Sequence, residues 1–245
     1  QTCPGLSEQL KNNRDIVLKI GGSILYQDNQ DINFDLMGKI KSWYVENREQ
    51  YTKVVIVTGG GVMSRNLQKR MQSNIENEKV LHNIAMSVTQ TSAELLAGFL
   101  GDHDIYIPKK IGDAYEYMLE NAPKTIVSGG LKSGWSTDMD AAVFADILSE
   151  KRVYKVSDIE YIYEKDLKID PHAKPIKDMT WEDYFEQFSI SEDDAHDVNS
   201  NIPIDKECAK FCRTKGISFF VCGGKNLYEK ESLNDVFSDG TLVHP

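Results

Sequence analysis

The stretch Asp15–Leu25, DIVLKIGGSIL, decides how the rest of the chain reads. Ile16-Val17-Leu18-Lys19-Ile20 is the β-branched, apolar run of a buried strand, with one lysine inside it, and it stops on Gly21-Gly22-Ser23. An ammonium is expensive to bury without an anion, so a lysine one residue before the end of such a strand needs a reason. Its stem could simply carry the charge out to solvent. Beside two glycines, whose backbone N–H groups can face oxyanions, Lys19 reads instead as a cation for phosphate. There its point charge offsets the charge that phosphoryl transfer develops.

The same ending recurs along the chain. Lys53–Thr58 stops on Gly59-Gly60-Gly61, and Thr125–Ser128 stops on Gly129-Gly130. Asp104–Ile107, Arg152–Ser157 and Ile217–Cys222 are further strand-like runs. Between them Asp35–Glu49, Ser64–Glu76, Leu81–Leu100, Asp138–Ser149 and Ile204–Lys215 carry helical spacing of apolar residues. This alternation predicts an α/β chain with a mostly parallel sheet covered by helices on both faces. Ligands of such sheets lie beyond the carboxyl ends of the strands, where all three glycine turns fall. A phosphate-rich ligand follows. The chain has no GxxxxGK[ST], and GGGVMSRN lacks GxGxxG spacing, so the glycine turns and Lys19 would hold the phosphates.

The third turn leads into Leu131-Lys132-Ser133-Gly134-Trp135-Ser136-Thr137-Asp138 and then Met139-Asp140-Ala141-Ala142. Ser136 or Thr137 can cap the helix that follows, with Asp138 in its first turn, which is ordinary helix-start chemistry. The free N–H groups of that helix start can also hold an acceptor's anionic group. Asp138 can orient Lys19 or a phosphate-bound Mg²⁺.

Composition narrows the partners. The 245 residues are 40% hydrophobic and 27% charged, with a net charge of -10, which argues against a general nucleic-acid or anionic-membrane surface. No window approaches the roughly 18–20 apolar residues of a membrane span, and the first residues lack the apolar core of a signal peptide. Cys208 and Cys212 are spaced for one helix face without a second cysteine pair, so with Cys3 and Cys222 they read as thiols rather than zinc ligands. A cytoplasmic protein is expected. Ser189–Asp197, SISEDDAHD, reads as a solvated loop, and no metal-ligating set is assigned. Neither a Ser-His-Asp nor a Cys-His arrangement is suggested, so the expected chemistry is direct in-line transfer.

Taken together, KIGGS, VTGGGVMSR, VSGGLKSGWSTDMDAA, VSDIEYIYEKDLKIDPHAKPI and DGTLV occur in the order found in the amino acid kinase superfamily, and resemble most its UMP kinases of the archaeal type. The resemblance runs from Asp15 to Val243. It implies a three-layer αβα sandwich in which residues 1–14 precede one domain, 15–245. An acceptor-binding half (15–150) would be followed by a nucleotide-binding half (151–245). It implies ATP and Mg²⁺ as cofactors, a small anionic acceptor such as UMP, and a homo-oligomer, either dimer or hexamer.

Carried over by position, Lys19 would contact the transferred group, with Gly21, Gly22 and Ser23 lining the phosphate site. Asp138 matches the family's catalytic-side aspartate. Gly59, Gly60 and Arg65 would hold the acceptor phosphate, with Gly130, Ser136 and Thr137 beside them. Ser157, Asp158, Tyr163 and Asp166 would form the purine and ribose pocket. As plain structure, Tyr163 reads equally as core and Asp166 as the cap of its own turn.

The departures are as informative. Tyr161 stands where the family has glycine, and Asp166-Leu167 where it has Asp-Pro, which leaves both ATP and GTP open. His82 stands where UMP kinases place the aspartate that binds the acceptor nucleoside. Val62-Met63-Ser64-Arg65 lacks the histidine expected of isopentenyl phosphate kinases. Lys206 is a candidate for the second lysine that carboxylate-phosphorylating relatives use. Two further readings therefore stand beside a UMP kinase: a kinase for another phosphate, phosphonate or carboxylate, and a storage protein for molybdate or tungstate.

Overall fold

The structure, a computed structural model, describes residues 14–119, 125–191 and 202–245. The segment before Arg14, Cys3 included, and most of the acidic stretch 189–197 lie outside the described residues. The chain alternates β1 (Ile16–Ile20), α1 (Gly22–Leu25), α2 (Phe34–Asn47), β2 (Val54–Thr58), α3 (Gly61–Met71) and α4 (Glu78–Leu100). It continues through β3 (Ile105–Tyr106), α5 (Ile111–Leu119), β4 (Thr125–Ser128), α6 (Thr137–Ile147) and β5 (Arg152–Ser157). A small hairpin, β6 (Ile162–Tyr163) with β7 (Pro175–Ile176), precedes β8 (Asp178–Thr180), α7 (Trp181–Gln187) and α8 (Lys206–Lys215). β9 (Ser218–Gly223), α9 (Asn226–Glu229), α10 (Leu233–Val236) and β10 (Gly240–His244) close the chain.

Eight strands form one sheet in the order β3-β4-β2-β1-β5-β9-β10-β8. Every neighbouring pair is parallel except β9 with β10. The expected three-layer α/β sandwich is therefore present. The antiparallel β10 was not foreseen as a strand, because Gly-Thr-Leu-Val-His is short and flanked by turn residues. α5 and α7 were likewise missed, and the observed helices shift by a few residues at their ends.

The period of two along the strands sorts the core into two layers. Val17, Val55, Val153, Phe219 and Val221 face α6, α7 and α8, where Phe144, Trp181 and Cys208 pack. Ile16, Leu18, Ile20, Ile56 and Val156 face the opposite layer with Met37, Trp43 and Leu96. Each such buried side chain contributes about 1.5–3 kcal/mol. Lys19 follows Val17 by two, so its side chain sits at the last position of the α6 face rather than on the sheet's edge.

Candidate active site

Lys19 and Lys155 are paired in register on the adjacent parallel strands β1 and β5. Both are buried, at 7% and 8% exposure, and Asp138 at the start of α6 is 6% exposed. Asp138 Oδ2 accepts from Lys155 Nζ at 2.6 Å and from the Asp205 backbone N–H at 3.3 Å. Its Oδ1 lies 3.4 Å from Lys19 Nζ without a hydrogen bond of its own. Lys155 also donates to the carbonyl of Pro203. One carboxylate thus faces two ammonium groups, a geometry in which a buried acid stays ionised. Burial pushes Asp138 upward, yet Lys155, Lys19 and the hydrogen bonds outweigh it and hold the carboxyl below the usual range. Burial lowers the Lys19 ammonium, with Asp138 opposing.

The glycine turns close over this cluster. A Cβ on Gly22 would lie 1.9 Å from the Gly61 nitrogen, and one on Gly61 would lie 2.5 Å from the Gly22 carbonyl carbon. Gly61 also takes φ +55°. Only glycine at both positions lets the first and second turns meet backbone to backbone. A Cβ on Gly59 would stand 3.5 Å from Lys19 Nζ, so the second turn lies directly beside the ammonium. Gly21 N–H donates to Val156 O at 2.8 Å and anchors the first turn on β5.

Next to the turns opens a cavity of about 530 Å³. Ser64, Arg65 and Gln68 from α3, His82 and Met86 from α4, and the loop from Gly130 to Thr137 form its walls. Ser136 both lines it and caps α6, accepting from Met139 N–H at 3.1 Å. Lys132 holds its ammonium 4.7 Å from the Trp135 ring centroid. Arg65, Lys132 and His82 face a space whose walls, among the described residues, contain no carboxylate. On a chain of net charge -10, such a lining is suited to an anion.

The matching family model, described as Amino acid kinase family, spans residues 15–223. The chain belongs to the amino acid kinase family. It is 27% identical over 234 residues to a uridylate kinase of Thermococcus onnurineus, covering 94% of this chain and 99% of that protein. A uridylate kinase of Methanococcoides burtonii is 30% identical over 165 residues, 67% of this chain and 68% of the relative. Among solved structures, a UMP kinase from Ureaplasma parvum superposes with TM-score 0.73 at 19% identity, covering 95% of this chain and 99% of that one. A uridylate kinase from Archaeoglobus fulgidus gives TM-score 0.71 at 21% identity, covering 93% and 100%.

Of the residues carried over from the family, Lys19, Gly21, Gly22, Gly59 and Asp138 meet in the buried corner, and Arg65, Gly130, Ser136 and Thr137 line the cavity. His82 is in that wall as well. Ser23 lies in α1 and Gly60 at the start of α3, in the first and second turns, and the others lie further along β5 and its loop. Ser157 ends β5 behind Gly21, while Asp158 and Asp166 are exposed. Asp166 accepts from Lys168 N–H at 2.8 Å and so caps its own turn. Tyr161 spans the loop, its hydroxyl donating to Asp239; burial and then that carboxylate push its pKa up to about 12.

Lys155 escaped the sequence reading. Arg-Val-Tyr-Lys-Val-Ser reads as a strand, and local spacing gives its lysine no role. The signal was available: two strands each carry a lysine near a carboxyl end, and parallel register places them side by side. Lys206, singled out instead, is the first residue of α8, next to the Asp205 amide that binds Asp138.

Proposed function

We propose that the chain is an ATP-dependent nucleoside monophosphate kinase that transfers the γ-phosphoryl group in line to UMP. The single observation that carries this reading is the Lys19–Asp138–Lys155 cluster, placed where the glycine turns meet an anion-suited cavity. The uridylate kinases among its relatives support the choice of acceptor.

In this reading the acceptor lies in the cavity with its phosphate toward Arg65, Gly59 and Gly60. Asp138 holds Lys19 and Lys155 so that their ammonium groups meet the transferred group, and the site is charged before substrate arrives. An acceptor that is already an anion needs no strong general base, so positioning and charge neutralisation supply most of the rate. Residues 15–150 bind the acceptor and 151–245 the nucleotide, with Ser157, Asp158 and Tyr163 on the purine and ribose side and Asp166 capping its own turn beside them.

Among the described residues no group of three His, Cys, Asp or Glu is placed to hold a metal, and Asp138 is engaged by two lysines. The nucleotide's own phosphates, with the Gly21-Gly22-Ser23 turn around them, are the fitting ligands for Mg²⁺. An ion held there would supply neutralisation of phosphate charge.

A second reading is favoured by the cavity wall, where His82 and Lys132 stand and no carboxylate among the described residues is available for a ribose diol. That reading makes the acceptor another small phosphate, phosphonate or carboxylate. An ADP-release assay with UMP, CMP, AMP, dUMP and a panel of small anions decides between them. Turnover with UMP well above the others supports the first; no turnover with any nucleoside monophosphate overturns it. Assembly into a dimer or hexamer is part of the proposal, and light scattering tests it.

A further inference from the structure

Asp140 has a carboxyl group that neither the lysine cluster nor the cavity wall uses. It is 1% exposed near the start of α6. Its Oδ1 accepts from Leu131 N–H at 3.3 Å, while Oδ2 has no partner. Burial pushes its pKa up to about 8, the bond from Leu131 opposing in part, so near neutral pH it is a neutral acid.

What it holds is the third glycine turn. Gly130 N–H donates to Thr89 Oγ1 at 2.7 Å, and Gly130 O accepts from Gln90 Nε2 at 2.9 Å. The turn is therefore slung between α4, which takes Gly130, and α6, which takes Leu131 through Asp140. A Cβ on Gly130 would lie 3.0 Å from Met86 Cγ, 3.2 Å from Thr89 Oγ1 and 3.6 Å from Asp140 Oδ2. Met86, Thr89 and Gly130 all line the cavity, so the unpaired oxygen sits directly behind its wall.

We propose that Asp140 is a positioning residue of the acceptor pocket. Through the Leu131 N–H it sets the Gly130 wall, and because it can acquire charge behind that wall, it tunes how tightly an anionic acceptor is held. The inference rests on reading the cavity as the acceptor site. The ionisable groups on the elements around it are committed elsewhere. Lys19 on β1 and Lys155 on β5 engage Asp138, and Cys208 on α8 is a buried thiol 3.9 Å from Cys212 Sγ. β2 carries no ionisable side chain, His82 of α4 faces the cavity, and Lys132 lies over Trp135. Among the described residues none forms an ion pair with Asp140. Its ionisation therefore places an uncompensated negative charge behind an anion site, which repels the acceptor.

The test is steady-state kinetics of the full chain from about pH 6 to about pH 9, varying UMP and ATP separately. For the unaltered chain, KM for UMP should rise about tenfold across this range while KM for ATP stays level. Asp140→Asn keeps an oxygen for Leu131 N–H and removes the charge, so its KM for UMP should be flat with pH. Asp140→Leu removes the tether and should raise KM for UMP at every pH, with circular dichroism confirming that it folds. Titration of Lys19 would move kcat in the unaltered chain and in Asp140→Asn alike, and so does not imitate this pattern. An Asp140→Asn profile that still rises like the parent's overturns the proposal. If the unaltered chain turns over no nucleoside monophosphate, the functional reading fails. The same pH series, read as equilibrium binding of inorganic phosphate, then decides Asp140 on its own.

Discussion

The corner where β1, β5 and α6 meet and the loop from Asp158 to Asp170 are both rich in charge, and they treat it in opposite ways. In the corner, Lys19, Lys155 and Asp138 are 6–8% exposed and tied to one another. In the loop, Asp158 and Asp166 are exposed, and Lys165 reaches Asp170 only at 4.0 Å in a surface pair. Burying a charge costs several kcal/mol unless it is paired, whereas a surface pair is worth about 0–1 kcal/mol. The corner is therefore preorganised before any ligand arrives. The loop is pinned by backbone contacts of Ile162 to Thr241 and of Tyr163 to Gln187 and by Tyr161 on Asp239, while its charged side chains stay at the surface.

The largest effect is expected at Lys19. Lys19→Ala should lower kcat by on the order of 10³ in an ADP-release assay while the far-ultraviolet circular dichroism stays that of the parent. A near-normal rate would detach the corner from the chemistry. Asp138→Asn comes next, because it leaves two buried ammonium groups facing a neutral amide. The expected cost is about 3–5 kcal/mol in denaturant unfolding, together with a loss of activity. Lys155→Met should also slow turnover. In the double variant with Asp138→Asn the losses should be less than additive, as for residues sharing one network.

Two of the three charged residues of this corner were legible in the sequence and the third was not, for a physical reason. Lys19 announced itself because Gly21-Gly22 follow it directly, and Asp138 because Ser136-Thr137 mark a helix start. Lys155 has no glycine after it; Val156-Ser157 follow instead, and only the parallel register of β1 with β5 brings it beside Lys19. Local spacing carries information about turns and caps, but not about which strands become neighbours. The same limit applies to the far side of β10, whose parallel pairing with β8 joins Leu242 to Asp178. The cavity beside the corner was partly legible: Arg65, Gly130, Ser136 and Thr137 were expected together, while local spacing gives Trp135 and Lys132 no role. His82 was recognised as a departure and proves to line the cavity.

On the acceptor side the effects should be smaller than in the corner, since the groups are more exposed. Arg65→Ala should raise KM for UMP by about tenfold with kcat within about threefold, the pattern of a group that binds ground and transition states alike. A loss confined to kcat would move Arg65 from the acceptor phosphate to the transferred group.

Asp140 adds a pH signature to stability. Its pKa rises from 3.8 to about 8 on folding, so the folded state holds a proton that the unfolded chain releases. The resulting penalty is absent below 3.8, grows as pH rises and levels off above about 8. The thermal midpoint of Asp140→Asn relative to the parent should therefore climb between about pH 4 and about pH 8. A difference that stays constant across that range would show that Asp140 is ionised in the folded protein.

The smallest effect is expected in the loop, at Asp166. Its carboxylate receives the Lys168 N–H, and its backbone carbonyl receives those of Ile169 and Asp170, so its present contacts are those of a turn cap. Removing an exposed cap of this kind costs about 0.5–1 kcal/mol locally and little globally. Asp166→Ala should then change KM for ATP by less than about threefold and leave KM for UMP alone. A rise in KM for ATP of tenfold or more, with UMP unaffected, would place the carboxylate on the nucleotide's ribose. The loop would then have to rearrange around ATP, whereas the buried corner is already set without ligand.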